Sequence, residues 1–335
     1  MSAPEAPQLP AGLQDVGVVA IGRNEGQRLL RCFDALPTGM RRIVYVDSAS
    51  TDDSVEQARR RSIEVLNLDM SVPFTAARAR NAGLLRLQEL WPDLRFVQFV
   101  DGDCALAPGW LEAAVGEMES SPRLAMTCGR RREVDPDASI YNRLCDMEWD
   151  TPVGETESCG GDALARVAAL QQVGGYDERL IAAEEPELCS RLRARGWRVR
   201  RIDCEMTLHD AAMTRFVQWW RRSVRSGHGF AEVNAMHPAV YRRLTWSILA
   251  WGLVLPAVAA TSAPLTGGLG LALLLAYPAL WARILVRRRR RGGTLADAAL
   301  YATFCVLGKF PLLVGAARYR WNRGRGLRSS LIEYK

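Results

Sequence analysis

Histidine is scarce throughout this chain, and acid is scarce in one part of it. It has three histidines in 335 residues, and its eight cysteines are scattered with no C-x-x-C and no paired Cys/His spacing. A structural zinc site is excluded on that pattern, and the thiols read as reduced groups of a cytosolic-type domain. No G-x-G-x-x-G follows the first apolar strand, so the fingerprint of a nicotinamide-dinucleotide site is missing. The first 14 residues lack both a basic region and an apolar core, so they are expected to be a flexible leader and not a secretory signal. No repeat or long low-complexity tract occurs.

Acid is missing in one place above all. From Tyr241 to Lys335 there are 15 Lys+Arg but only Asp297 and Glu333, whereas the first 240 residues carry 29 positive and 35 negative charges. The formal net charge of +7 is therefore the sum of a mildly acidic region and a strongly basic one. A uniformly basic nucleic-acid binder does not fit, and no nucleic-acid partner is expected.

Up to about residue 210, short apolar runs alternate with helix-like stretches. The runs are Val16–Ile21, Arg42–Asp47, Ile63–Leu68, Arg95–Val100 and Arg123–Cys128. This β-α-β-α texture predicts an α/β domain built on a mainly parallel sheet flanked by helices. Asn24 with Gln27, and Ser50 with Asp53, have the spacing of helix-start capping pairs. Ligands of such sheets sit beyond the carboxyl ends of the strands, which directs attention to the loops after Ile21, Asp47, Leu68 and Val100.

After Leu244 the texture changes. Leu244–Ala263 is an uncharged stretch of 20 residues, and Gly268–Val286 is one of 19 whose single charge is Arg283. Each is long enough to cross a hydrocarbon core, and Arg287–Arg291 follow as a cytoplasmic-side anchor for anionic lipid. A third stretch, Leu295–Ala317, is interrupted at Lys309–Pro311 and is followed by a basic tail, so both of its flanks are cationic. An interfacial or re-entrant segment satisfies the charge bias better than a third crossing. The expected organisation is a leader over 1–14, a catalytic domain over 15–240 and a C-terminal helical membrane region over 241–335, with the catalytic domain on the cytoplasmic face.

Several clusters in the first region could carry chemistry. Asp101-Gly102-Asp103 ends an apolar strand, where two carboxylates can gather a hard divalent cation that in turn holds a diphosphate. Asp47, ending another strand, can accept hydrogen bonds from a base or ribose. Arg78 and Arg80 are two of few cations available to a phosphate. Pro186 makes Glu185 the expected N-cap of a helix, and the same carboxylate is a candidate general base. His209 can complete a metal shell or simply pack. Gln218–Arg222, with Trp219, Trp220 and Arg222, fits a sugar platform or a membrane-interface helix equally.

Taken in order, Val19–Glu25, Val46–Asp52, Ala79–Gly83, Asp101–Asp103, Cys159–Asp162 with Val173–Asp177, and Glu184-Glu185 resemble a family-2 glycosyltransferase of GT-A fold over roughly Val16–Arg222. The resemblance implies donor contacts by Ala20, Asn24, Glu25, Asp47, Arg80, Asp101 and Gly102, and a Mg²⁺ or Mn²⁺ ion held by Asp103, Asp101 and His209. It further implies Glu185 as the base, and Gly160, Gly161, Asp162, Glu184, Trp219, Trp220 and Arg222 around the sugar or acceptor. A nucleotide-sugar donor, by default a UDP-sugar, and a lipid-linked or membrane-proximal acceptor would be its partners. The family often has Asp where this chain has Glu185, and two acids where it has Asp47-Ser48; the Gln218–Arg222 segment only loosely matches the Q-x-x-R-W signature of processive synthases. A sugar nucleotidyltransferase and a non-catalytic nucleotide-sugar-binding scaffold are the competing classes.

Overall fold

The computed structural model describes residues 9–327 and Ile332. Two compact units are present. The first comprises Met1–Asp135, Glu148–Leu180 and Glu184–Ala211; the second comprises Pro136–Met147, Ile181–Ala183 and Ala212–Lys335.

The first unit runs β1 (Val16–Gly22), α1 (Gln27–Asp34), β2 (Ile43–Asp47), α2 (Ser54–Arg60), β3 (Glu64–Asn67), α3 (Ala76–Leu90), β4 (Phe96–Asp101), β5 (Cys104–Leu106), α4 (Trp110–Ser120) and β6 (Leu124–Glu133). After α5 (Ile140–Trp149) it continues through β7 (Gly154–Glu155), β8 (Ala163–Arg166), α6 (Val167–Val173), α7 (Glu184–Ala194) and β9 (Arg198–His209). The strands form one sheet in the order β3-β2-β1-β4-β8-β6-β9-β5, with β7 also on β9. Val16–Ile21 and Ile43–Asp47 are buried throughout, as expected of strands covered on both faces.

The sheet is less parallel than its first strands suggest. β3, β2, β1 and β4 are parallel, but β8 joins β4 and β6 antiparallel, β5 and β7 join β9 antiparallel, and β6 with β9 restores one parallel pair. The extra strands are short or charged, and so escape an apolar pattern. β6 in particular runs past Cys128 through Arg130–Glu133, because pairing with β9 covers residues whose charges argue against a buried strand.

Three local expectations are corrected. Neither Gly26 nor Asp53, the residues that cap α1 and α2, makes a side-chain cap bond. Asn24, at φ 56°, instead accepts from the Thr51 backbone N–H at 2.7 Å, while Ser50 Oγ accepts from Asn24 N–H at 2.9 Å. Asp52 accepts from Gly26 N–H at 3.1 Å and from Ser54 N–H at 3.0 Å. The polar residues thus fasten the β1 loop to the β2 loop, a long-range use that local spacing does not reveal. α7 begins at Glu184, so Pro186 sits third in it, where its missing N–H is still an orphan of the first turn. Of the expected leader, residues 1–8 lie outside the described residues, and Leu13 is fully buried in the core.

The second unit contains α8 (Phe216–Met236), α9 (Pro238–Leu249), α10 (Leu255–Ser262), α11 (Ala276–Arg289), α12 (Leu295–Leu307) and α13 (Lys309–Gly324). A boundary at residue 240 was expected, but α8 belongs with the apolar helices. A Cβ on Gly315 would lie 2.0 Å from the Val224 carbonyl oxygen, and one on Gly227 would lie 2.2 Å from that of Leu312. Only glycine at both positions lets α8 and α13 approach so closely. Among the described residues, three helical segments are long and apolar enough to cross a membrane: Val240–Ser262, Leu269–Arg289 and Leu295–Gly324. Many of their side chains are exposed, including Leu253, Val258, Leu269 and Leu275, which suits a lipid solvent. Lys309 is satisfied within the unit by a 3.0 Å bond to Ser247 Oγ. The Arg328–Lys335 tail, Ile332 apart, lies outside the described residues.

Candidate active site

The sheet register assembles the site. Gly22 pairs with Asp47 on one side of β1, and Ile21 pairs with Asp101 on the other, so both acids stand at the carboxyl edge of adjacent parallel strands. Gly102 N–H donates to Ile21 O at 2.8 Å and holds the β4 end against β1. Asp47 accepts from Tyr45 Oη at 3.1 Å and from Ser50 N–H at 2.9 Å, and is 3% exposed. Glu25, in the loop after β1, pairs with Arg28 at 2.9 Å. Ala20, expected near the donor, lies mid-strand between Tyr45 and Val100 and is fully buried. Its side chain is core.

Arg80 is the hub of one half of the site. Its guanidinium reaches Asp101 and Glu184 at 2.8 Å each and lies over the Tyr176 ring at 5.7 Å. Burial opposes its charge, but Asp101 and Glu184 more than reverse this, and it stays a fixed cation. It is 2% exposed, so it serves as an internal strut and not as an open phosphate ligand. Gly161 makes room for it: a Cβ there would lie 2.4 Å from Arg80 Nη2 and 3.1 Å from Asp101 Oδ2. Gly160 carries no such constraint, with the nearest atom, on Arg131, at 3.7 Å. Arg78 bonds the backbone carbonyls of Asp69, Val72 and Pro73, bracing that loop.

Asp162 is a second correction. It is fully buried, accepts from Thr207 Oγ1 at 2.9 Å and from Asp101 N–H at 3.1 Å, and pairs with Arg131 at 2.6 Å. With those bonds made, it positions Asp101 and does not contact a sugar. Trp219 is likewise internal, 2% exposed in the second unit with its ring 4.7 Å from that of Phe304. Trp220 packs on the cluster of Ile181, Val224 and Ile332 in that unit, and Arg222 follows on α8.

The other half centres on His209. Cys104 opposes His209 across β5/β9, and Glu133 opposes it across β6/β9. Nε2 of His209 lies 3.6 Å from Asp103 Oδ2, and Nδ1 lies 3.6 Å from Glu133 Oε2. The Trp149 ring packs edge-on at 4.7 Å. Two groups of potential ligand atoms fall within 4.8 Å of one another: Asp103, Cys104 and His209, and Asp101, Cys104 and Asp162. The second group fits a cation poorly, because Asp162 is already bonded and burial pushes the Cys104 thiol up, keeping it protonated. The first shares that thiol, but it also sets the Asp103 carboxylate and the His209 Nε2 3.6 Å apart on one face, a donor pair that suits a divalent ion; Glu133 lies 3.6 Å from Nδ1 without a hydrogen bond to it and accepts instead from Ala211 N–H at 3.2 Å.

Glu185 follows the buried Glu184 at the start of α7 and is itself half-buried. Burial and the Glu184 charge push its carboxyl up to about 7, against the pull of Arg80. Asp101 is also raised, by burial first and despite Arg80.

The family described as "Glycosyl transferase family 2" matches residues 18–157, which hold β1, β2 and the Asp101-Gly102-Asp103 turn. These residues form a family 2 glycosyltransferase domain. Two curated relatives, both pre-mycofactocin glycosyltransferases of Mycobacterium tuberculosis (strains CDC 1551 / Oshkosh and ATCC 25618 / H37Rv), are 30% identical over 267 residues, or 74% of this chain. The chain spans 54%, about half, of the length of those relatives. The mannosyltransferase PcManGT of Pyrobaculum calidifontis, solved with GDP-Man and Mn²⁺, superposes with a TM-score of 0.60 at 19% identity, covering 96% of this chain and 90% of its own. The shared architecture is the GT-A fold.

Within the glycosyltransferase domain and the rest of the first unit, Arg131, Glu133, Trp149, Tyr176 and Thr207 were not singled out by sequence. Each acts through a partner distant in the chain. The available signal was the run Arg130–Glu133, whose placement on a strand only β9 explains.

Proposed function

We propose that the protein transfers a sugar, with inversion, from a nucleotide-sugar, UDP-linked in the first instance, to a hydroxyl of a lipid-linked or membrane-proximal acceptor. The observation that carries this reading is Glu185: a half-buried carboxyl raised to about 7, in the same cluster as the Arg80–Asp101 pair at the end of β4. A base of that pKa is ionised in useful proportion near neutrality and still basic enough to take a hydroxyl proton. Glu185 accepts that proton as the acceptor oxygen attacks the anomeric carbon and the bond to the nucleotide diphosphate breaks. Arg80 holds Asp101 and Glu184 in place, and Asp47 faces the nucleoside. Mg²⁺ or Mn²⁺ held by Asp103 and His209, with Asp101 nearby, would neutralise the leaving diphosphate.

The second unit would anchor the chain in a membrane, with the first unit on the cytoplasmic side. Two crossings suit it better than three, since α13 packs along α8, whose Arg221, Arg222 and Arg225 do not belong in a lipid core.

The test is a donor screen with UDP-, GDP- and dTDP-sugars and added Mg²⁺ or Mn²⁺. Release of nucleoside diphosphate supports transfer; pyrophosphate exchange would identify a nucleotidyltransferase, and binding without turnover a scaffold. Pre-mycofactocin, after which the curated relatives are named, is a second acceptor to include with lipid-linked glycans.

A further inference from the structure

The second unit contains a cavity of about 510 Å³ lined by the last turns of α8 and α13 and by Thr245 of α9. Its size is in the range of small-molecule sites, roughly 300–1,000 Å³. Asn234 Oδ1 and Thr245 Oγ1 are buried there with no hydrogen-bond partner. A buried polar atom left unpaired is destabilising, and the cavity they line gives room for a partner that satisfies both. Arg320 and Arg323 also line the cavity, and no acid does. Arg323 donates to Tyr319 Oη at 3.4 Å, which keeps it folded against the wall.

The electrostatics favour an anion even after the helix ends are counted. The C-terminal turns of α8 and α13 each bring about half a negative charge, so together they cancel roughly one of the two guanidinium charges. One net positive charge remains. Depth identifies the source of the anion: Thr245 lies five residues into the apolar segment Val240–Ser262, and Tyr319–Gly324 end the segment Leu295–Gly324. A polar, cationic cavity at the end of apolar helices meets the headgroup layer of a bilayer, not its core.

We propose that this cavity binds the phosphate-bearing headgroup of an anionic membrane phospholipid. Arg320 and Arg323 take the phosphate, and Thr245 and Asn234 take its ester or headgroup oxygens. The site is distinct from the basic run Arg287–Arg291, none of which lines this cavity. It rests on the membrane reading of the second unit and not on glycosyl transfer.

The full chain in mild detergent, stripped of lipid, would be titrated with short-chain phosphatidylglycerol, phosphatidylcholine and inorganic phosphate, with bound lipid counted by native mass spectrometry. Phosphatidylglycerol should bind best, and Arg320→Gln with Arg323→Gln should weaken it by about tenfold or more, as expected for loss of two charge-assisted bonds. Arg288→Gln with Arg290→Gln should weaken it by less than about twofold, consistent with screened surface charge. Asn234→Ala with Thr245→Val removes the polar atoms without changing charge; it should also weaken binding, and it covers the case in which the arginine variant fails to fold. Equal effects of the two arginine pairs, or inorganic phosphate binding as tightly as the lipid, would overturn the proposal. Carbonate extraction of the chain from membranes tests the membrane reading separately.

Discussion

Asp101 and Asp103 are two residues apart and end in opposite circumstances. Asp101 closes β4 with its carboxylate 2.8 Å from the Arg80 guanidinium and its backbone N–H on Asp162, so it is part of a buried ionic frame. Asp103, one turn residue later, faces the imidazole of His209. The chain bends between them, at Gly102, and sends one acid to a fixed protein cation and the other to an imidazole nitrogen. An acid-x-acid motif therefore need not be two equivalent metal ligands: in this chain one acid shapes the crevice and the other is the better placed to hold a cation.

Removing Arg80 should have the largest effect on the framed half. Arg80→Met leaves Asp101 and Glu184 without their shared cation, and loss of one partner of a buried pair costs about 3–5 kcal/mol. Because the Asp101 side chain is 29% exposed, the lower end of that range is expected, read as a fall in the urea midpoint. If Arg80→Met were as stable as the wild type, the frame would not be structural. On the His209 half the expected change is in affinity. Glu133→Gln removes a negative charge 3.6 Å from His209 Nδ1 and should weaken Mn²⁺ binding, followed by electron paramagnetic resonance, by about tenfold. The same substitution should alter stability far less than Arg80→Met; equal affinity would remove Glu133 from the site.

The smallest effect concerns pH. Burial and Glu184 hold the Glu185 carboxyl near 7, so its base form is full above that pH and is lost on acidification. kcat/KM should fall about tenfold per unit below pH 7. Glu184→Gln removes a charge that raises this pKa and leaves Arg80, which lowers it, with one fewer partner. The acid limb should therefore move to lower pH; movement to higher pH would contradict the assignment.

The comparison also marks what could be read in advance. β1, β2 and β4 announced themselves as apolar runs, and their ends carry Asp47 and Asp101. The long apolar helices were equally plain, since an apolar helix carries its signal in adjacent residues. What stayed hidden was pairing over distance. The family resemblance implied Asp162 near the sugar or acceptor, yet Arg131 and Thr207 enclose it. Asn24 had the spacing of a cap, yet it binds Thr51. Glu133 was legible only once β6 was known to run beside β9. In each case the deciding partner lies more than 20 residues away, beyond the reach of local periodicity.

The central claim is that Glu185 is the base of a metal-dependent glycosyl transfer, and a paired measurement on Glu185→Gln tests it most directly. Sugar transfer and Mn²⁺-dependent nucleotide-sugar binding would be measured on the same preparation. Transfer should fall by about 10²–10⁴-fold, the usual worth of a positioned general base, while donor affinity stays within about twofold of the wild type. Undiminished transfer by Glu185→Gln would contradict the account.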